Sequence, residues 1–259
     1  MLDLTLTQAV LVALIFVWSG FVRSGLGFGG AVLSLPFLLL IDNRPLVYLP
    51  LIAVHLLFFS SALGVQNWQR RRRQSEENRE ASSVDWRYLR KAMGIIIVPK
   101  LIGVLGLLTL PNTLMTTIIF SIVLAYAFSY IFNKPFKSRN PKLDTLFLIL
   151  GGYISGTSLI GAPLIIAVFA THVAARQLRD TLFVLWFILV VIKMSAFIYS
   201  GVDLHLEAHA WLLPSAALGH VIGLRFHDYL LRADPVVFYR VVGSVLAVIS
   251  MIGMARLWL

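Results

Sequence analysis

Gly20-Phe-Val-Arg-Ser-Gly25-Leu-Gly27-Phe-Gly29-Gly30 and Gly151-Gly152-Tyr-Ile-Ser-Gly156-Thr-Ser-Leu-Ile-Gly161-Ala-Pro163 are two glycine-rich breaks in otherwise apolar sequence, and they decide how the chain folds. Gly20, Gly25 and Gly30 fall on Gly151, Gly156 and Gly161 at a single offset of 131. In each half the break follows the first apolar run and leads into a second one that begins with small residues. Breaks at corresponding positions of two halves are the sequence mark of a transporter built from repeats, with its binding site where the broken helices meet.

The surrounding composition sets the solvent. Of 259 residues, 59% are hydrophobic and 13% charged, and the mean hydropathy is +0.86, outside the range of soluble domains. Apolar runs fall at 4–22, 26–41, 46–66, 92–110 and 113–133, then at 143–157, 160–172, 182–200, 208–224 and 236–256. A helix needs about 20 residues to cross a hydrocarbon core of about 30 Å, so the short runs beside each break read as half-helices or re-entrant hairpins. No period-2 alternation points to a barrel. The opening run from Leu4 to Trp18 lacks a basic leader and reads as a retained helix. The expected fold is therefore all-α, a polytopic transmembrane protein with about 8–10 membrane segments, some of them broken or re-entrant. Its two repeats are expected at 1–133 and 134–259.

The net charge of +10 does not indicate a nucleic-acid partner, because the basic residues lie in loops. Arg70, Arg71, Arg72, Arg73, Arg79, Arg87, Arg90 and Lys91 make the stretch near 67–91 basic and place it in the cytoplasm by the positive-inside rule. Counting crossings outward puts Lys134, Lys137, Arg139, Lys142, Arg176, Arg179, Arg225 and Arg232 on that same side, and the loop with Asp203 and Glu207 on the other. Five segments per half is an odd number, so the halves are expected to be inverted, provided both short runs count as crossings.

Unwound backbone and helix N-termini carry amides that suit an anion. The segments starting near Gly29 and Gly161 would present such ends, with Gly25, Gly27, Gly30 and Gly156 allowing the unwinding and Ser24, Ser34, Ser155, Thr157 and Ser158 adding hydroxyls. Close helix packing is the alternative use of the same glycines. Titratable residues inside apolar segments are functional candidates because they are costly there. Lys100 lies about 12 Å from either end of its run and cannot easily reach headgroups. Lys193, nearer an exit, reads equally as an anion ligand or a snorkelling side chain. His55 reads as a proton-relay candidate or a packing residue, and Arg23 as an oxyanion fork or an interfacial anchor.

These motifs, Gly20-x4-Gly-x-Gly-Phe-Gly-Gly-x5-Pro36 and Gly152-x3-Gly156-x3-Ile-Gly161-Ala-Pro163, resemble the twin motifs of the TauE/SafE family of sulfite exporters, and the resemblance covers nearly the whole chain. It implies a bacterial inner-membrane permease for sulfite, organosulfonates or related sulfur anions, and it adds weight to Lys193, which precedes an aromatic-Ser-Gly exit as in other members. Two positions depart from the pattern: Arg23 stands where a small apolar residue is usual, and Ala162 where a second glycine is usual.

Other classes find little support. Cysteine is absent, which excludes thiolate metal sites, disulfides and cysteine nucleophiles. There is no Gly-x-Ser-x-Gly elbow, no His-Glu-x-x-His pair and no phosphate-binding Gly-x4-Gly-Lys-[Ser/Thr] loop. No enzymatic activity, metal or cofactor is expected. The expected partners are a small anionic substrate and the lipid bilayer, with the oligomeric state open, a homodimer included.

Overall fold

The computed structural model describes residues 4–26, 30–72, 84–134, 136–138, 140–232 and 235–259. Gly27, Gly29 and most of the basic stretch after Arg72 lie outside these residues. Ten α-helices occur among the described residues, with no strand: α1 (Leu6–Leu26), α2 (Leu35–Ile41), α3 (Pro45–Arg72), α4 (Trp86–Thr109), α5 (Asn112–Ile131), α6 (Pro141–Ser158), α7 (Ala162–His172), α8 (Ala175–Tyr199), α9 (His209–Arg232) and α10 (Pro235–Trp258). Five are long and apolar enough to cross a membrane, spanning Leu6–Ser24, Trp86–Thr109, Asn112–Ile131, Ala175–Tyr199 and Val236–Trp258. The stretch near 67–91 is helical at both ends, since α3 runs to Arg72 and α4 begins at Trp86.

Local chemistry sets the helix ends. The Asp85 carboxylate accepts from the Tyr88 amide, and the Asn140 side chain accepts from the Leu143 amide just behind Pro141, which satisfies donors that a first turn leaves open. Gly201 closes α8 at φ +69°, with its own amide donating to Ile198 and that of Val202 to Phe197.

Helix directions follow from the contacts. Gly103 meets Tyr153 and Thr157 while Gly152 meets Ile96, so α4 and α6 run parallel. Tyr130 stacks near Tyr239, Gly243 meets Ala127 and the Trp258 indole donates to Thr117, so α5 and α10 run antiparallel. Beyond α6 the chain turns back on itself. Gly161 lies against Ser155 and Ile165 against Gly151, and His172 at the end of α7 bonds Asp144 at the start of α6 at 2.7 Å. The pair α6–α7 is thus a tight antiparallel hairpin whose two ends lie on one face. In the first half α1 and α3 run parallel, with Phe16 against His55 and Arg23 over Phe59, so α2 carries the chain back toward the level where α1 began. A hairpin cancels in the same way as two full crossings do. The ends of α1, α3, α5 and α9 and the starts of α4, α6 and α8 therefore fall on one face whether or not the short helices cross.

The closest packing occurs where glycines let backbones touch. A Cβ on Gly20 would overlap the Ala216 carbonyl, and one on Gly219 would overlap the Val17 carbonyl and crowd the Phe21 amide, locking α1 to α9. In the same way a Cβ on Gly156 would overlap the Lys100 carbonyl, and one on Gly103 the Tyr153 carbonyl, beside the Thr157 amide, locking α6 to α4. Gly20, Val17 and Phe21 stand 136 positions before Gly156, Tyr153 and Thr157, which play the same parts. Gly30 and Gly161, which meet Ser19 and Ser155 respectively, are 131 apart. The shared offset of the sequence therefore holds after the breaks but not before them: Gly20 does in packing what Gly156 does, and the first break is five residues longer.

Candidate functional site

The two breaks meet at a cavity of about 100 Å³ lined by Arg23, Gly30 and Val32 from the first, Ser155, Leu159 and Ala162 from the second, and by Leu56 and Ser60 of α3 with Trp186 and Val190 of α8. This is room for a small polyatomic solute, well under the roughly 300 Å³ at which drug-sized pockets begin. Ala162 opens α7, so that helix aims its amide end at the cavity. Among the described residues the first break shows no matching end: residues 30–34 form turns, and α2 starts only at Leu35.

Arg23 supplies the charge. Its guanidinium lies 3.9 Å over the Phe59 ring, and one of its terminal nitrogens is buried with no hydrogen-bond partner. A guanidinium is ionised under all ordinary conditions and presents a planar fork that matches an oxyanion. Arg23 thus brings a cationic side chain to the cavity wall.

The lysines stand behind this front. Lys100 is fully buried, and its ammonium donates to the Ser155 hydroxyl at 3.2 Å and the Ser155 carbonyl at 3.4 Å. Ser155 lines the cavity and Lys100 does not, so Ser155 stands between the Lys100 ammonium and the cavity. Lys193 is also fully buried; its ammonium has no hydrogen-bond partner, lies 5.6 Å from the Phe197 ring and is close enough to Lys100 for the two charges to interact. It is not at the exit and does not snorkel. Leu189 and Val190, one turn earlier on α8, line the cavity.

The hydroxyls are mostly engaged elsewhere. Thr157 and Ser158 donate to the Ile154 carbonyl at 3.1 and 2.9 Å, Ser34 donates to the Gly30 carbonyl, and Ser24 pairs with His220 Nδ1. Gly156 is taken up by its contact with α4 and Gly161 by its contact with α6. Gly25 lies within α1. Leu159 holds φ +62°, a left-handed conformation that costs a branched residue about 1 kcal/mol, at the point where the second break meets the cavity. His55 lines an adjoining pocket of about 10 Å³ that shares Arg23, Gly30, Ala31 and Leu56 with the main cavity. Sequence reasoning did not single out Ser60 or His209. Ser60 sits on an apolar helix as an ordinary small polar residue, and His209 sits at a helix start beside a polar loop.

A second cavity, of about 550 Å³, lies on the far side of α7, between Pro163, Ala167 and Ala170 of that helix and Tyr130 and Tyr239 of α5 and α10. The corresponding helix of the first half, α2, instead packs directly on α10 and α5, and Asn43 just beyond it accepts from Thr116.

Helical bundle, broken helix pair and buried cation together define a polytopic membrane protein with a largely apolar internal cavity whose wall includes Arg23 and Ser155. The family model for the sulfite exporter TauE/SafE matches residues 12–253. The chain belongs to that family of membrane transporters. Comparison with curated proteins and with solved structures yields no match.

Proposed function

We propose that the protein is a secondary transporter for a small sulfur oxyanion, sulfite or an organosulfonate, moved across the bacterial inner membrane by alternating access around the cavity between the two breaks. The observation that carries this is Arg23, which lines that cavity and has a buried guanidinium nitrogen without a hydrogen-bond partner. A cation in hydrocarbon needs a partner, and where the protein offers none, a substrate anion supplies it. The α7 amide end adds a second positive pole, and Lys100 and Lys193 add a positive field behind Ser155, so the sign of the ligand is negative. The halves 1–133 and 134–259 act as an inverted pair, supported by the matching contacts of α1 with α9 and of α6 with α4.

Thermal unfolding of the purified protein tests this with sulfite, thiosulfate, taurine and sulfoacetate. A ligand at 100 times its dissociation constant adds about 2.7 kcal/mol to stability, a clear rise in Tm. Arg23→Gln is expected to abolish the rise while leaving the unliganded Tm within a few degrees. Equal stabilisation of Arg23→Gln and wild type would remove Arg23 from the site. Stabilisation by a carboxylate or phosphate in place of any sulfur anion would redirect the substrate.

A further inference from the structure

A line of histidines joins the cavity to the face opposite the basic loops. Asp203 is 75% exposed there and pairs with His205 Nδ1 at 3.1 Å. One turn on, His209 opens α9 and is 6% exposed. Its ring centroid is 5.1 Å from that of His55, which is 4% exposed. His55 in turn lines the small pocket beside Arg23. At about 10 Å³ that pocket is close to the size of a single water.

The backbone fixes how these rings hold their protons. His55 Nδ1 lies 2.7 Å from the Leu51 carbonyl, and His209 Nε2 lies 3.3 Å from the Leu204 carbonyl. A carbonyl only accepts, so each of those nitrogens carries the hydrogen. The remaining nitrogens, His55 Nε2 and His209 Nδ1, are then the basic ones, and both are buried without a hydrogen-bond partner. Two neighbouring imidazoles therefore each keep an open lone pair, with the other nitrogen pinned. A proton arriving on His209 Nδ1 can pass to His55 Nε2, through one water or a small ring rotation. Afterwards His209 is neutral again in its original tautomer.

We propose that His205, His209 and His55 form the proton-entry path of the transporter, and that protonation of His55 is coupled to anion binding at Arg23. The proposal rests on the anion site described above. The charged and titratable groups facing His55 are Arg23 from α1 and His209 from α9, with His220 of α9 beyond Phe59 and Arg23. His209 faces His55 from α3 and His205 from the turn before α9. The neighbours of His55 are cationic or neutral. With the cavity empty, Arg23 repels a proton from His55; an oxyanion on Arg23 cancels that repulsion. Proton and anion then favour each other's binding by the same factor.

Calorimetric titration of the purified wild type with methanesulfonate, in buffers of different ionisation heat, counts the protons taken up. Methanesulfonate keeps its charge throughout the range from about pH 5 to 8 in which histidine titrates. Uptake approaching one proton per anion is expected, with affinity rising up to about tenfold per pH unit on acidification. His55→Gln should abolish the uptake. His209→Gln should keep the equilibrium uptake yet slow flux driven by acid on the His205 side of proteoliposomes about tenfold, because it interrupts the route and not the endpoint. His172→Gln, on the basic face, serves as the unaffected control. Binding by wild type without proton uptake overturns the coupling and leaves the anion site standing, and this needs no variant to fold. Unslowed acid-driven flux in His209→Gln overturns the path. No binding by wild type overturns both proposals.

Discussion

Gly219→Ala is expected to lower the stability of the protein by about 2–3 kcal/mol, the usual range for forcing a methyl into a filled contact. The added carbon would land on the Val17 carbonyl and the Phe21 amide, both backbone atoms of α1 that cannot rotate out of the way. The same change at Gly156 meets the Lys100 carbonyl and the Gly103 Cα and should cost a similar amount. Gly94 provides the contrast. It lies inside α4 with open space around the position of a Cβ, so Gly94→Ala should be neutral or gain up to about 1 kcal/mol from helix propensity. Unfolding followed by helical circular dichroism in mild detergent measures all three. Equal stability of the Gly94 and Gly219 variants would show that the α1–α9 contact is looser than the backbone geometry requires.

Lys193→Met should move stability and function in opposite directions. The buried ammonium has no hydrogen-bond partner and its nearest charge is another lysine. Exchanging it for an apolar side chain of similar length should stabilise the protein by about 1–3 kcal/mol, as replacing buried charges often does. The lost positive field should weaken sulfonate affinity about tenfold, equivalent to about 1.4 kcal/mol, a modest Coulomb effect across protein. Tm and binding measured on the same preparation check both. A variant that is destabilised would mean that Lys193 has a partner essential to folding. A stabilised variant with unchanged affinity would take Lys193 out of the anion's field.

Much of this arrangement was legible in the sequence, and the rest was hidden for definable reasons. Hydropathy located the apolar runs because membrane helices must satisfy their own backbone, and the runs expected at 113–133 and 160–172 match α5 and α7 closely. Lys100 was identified as deep because no stem of its length reaches headgroups from mid-helix. The relation between the breaks was only half visible. A search for aligned glycines pairs Gly20 with Gly151, but packing pairs Gly20 with Gly156, since contact depends on helical phase and the first break carries extra residues. Arg23 could be read as an interfacial anchor because sequence position alone does not say whether a helix end meets water or a cavity. His209 and His55 are 154 positions apart, and no spacing rule links them until α3 and α9 are packed together.

The glycine crossings also determine which parts of the molecule can move. Where two backbones touch with no side chains between them, there is nothing to slide or re-rotamerise, so α1 with α9 and α4 with α6 behave as two rigid levers. The pair α5–α10 is held by the same device, with Gly243 against the Ala127 carbonyl, and freedom is left beside α7, which borders an open 550 Å³ space while α2 has none. A transport stroke of the proposed kind is then expected to rock these pairs as whole bodies, with room beside α7, rather than to bend helices.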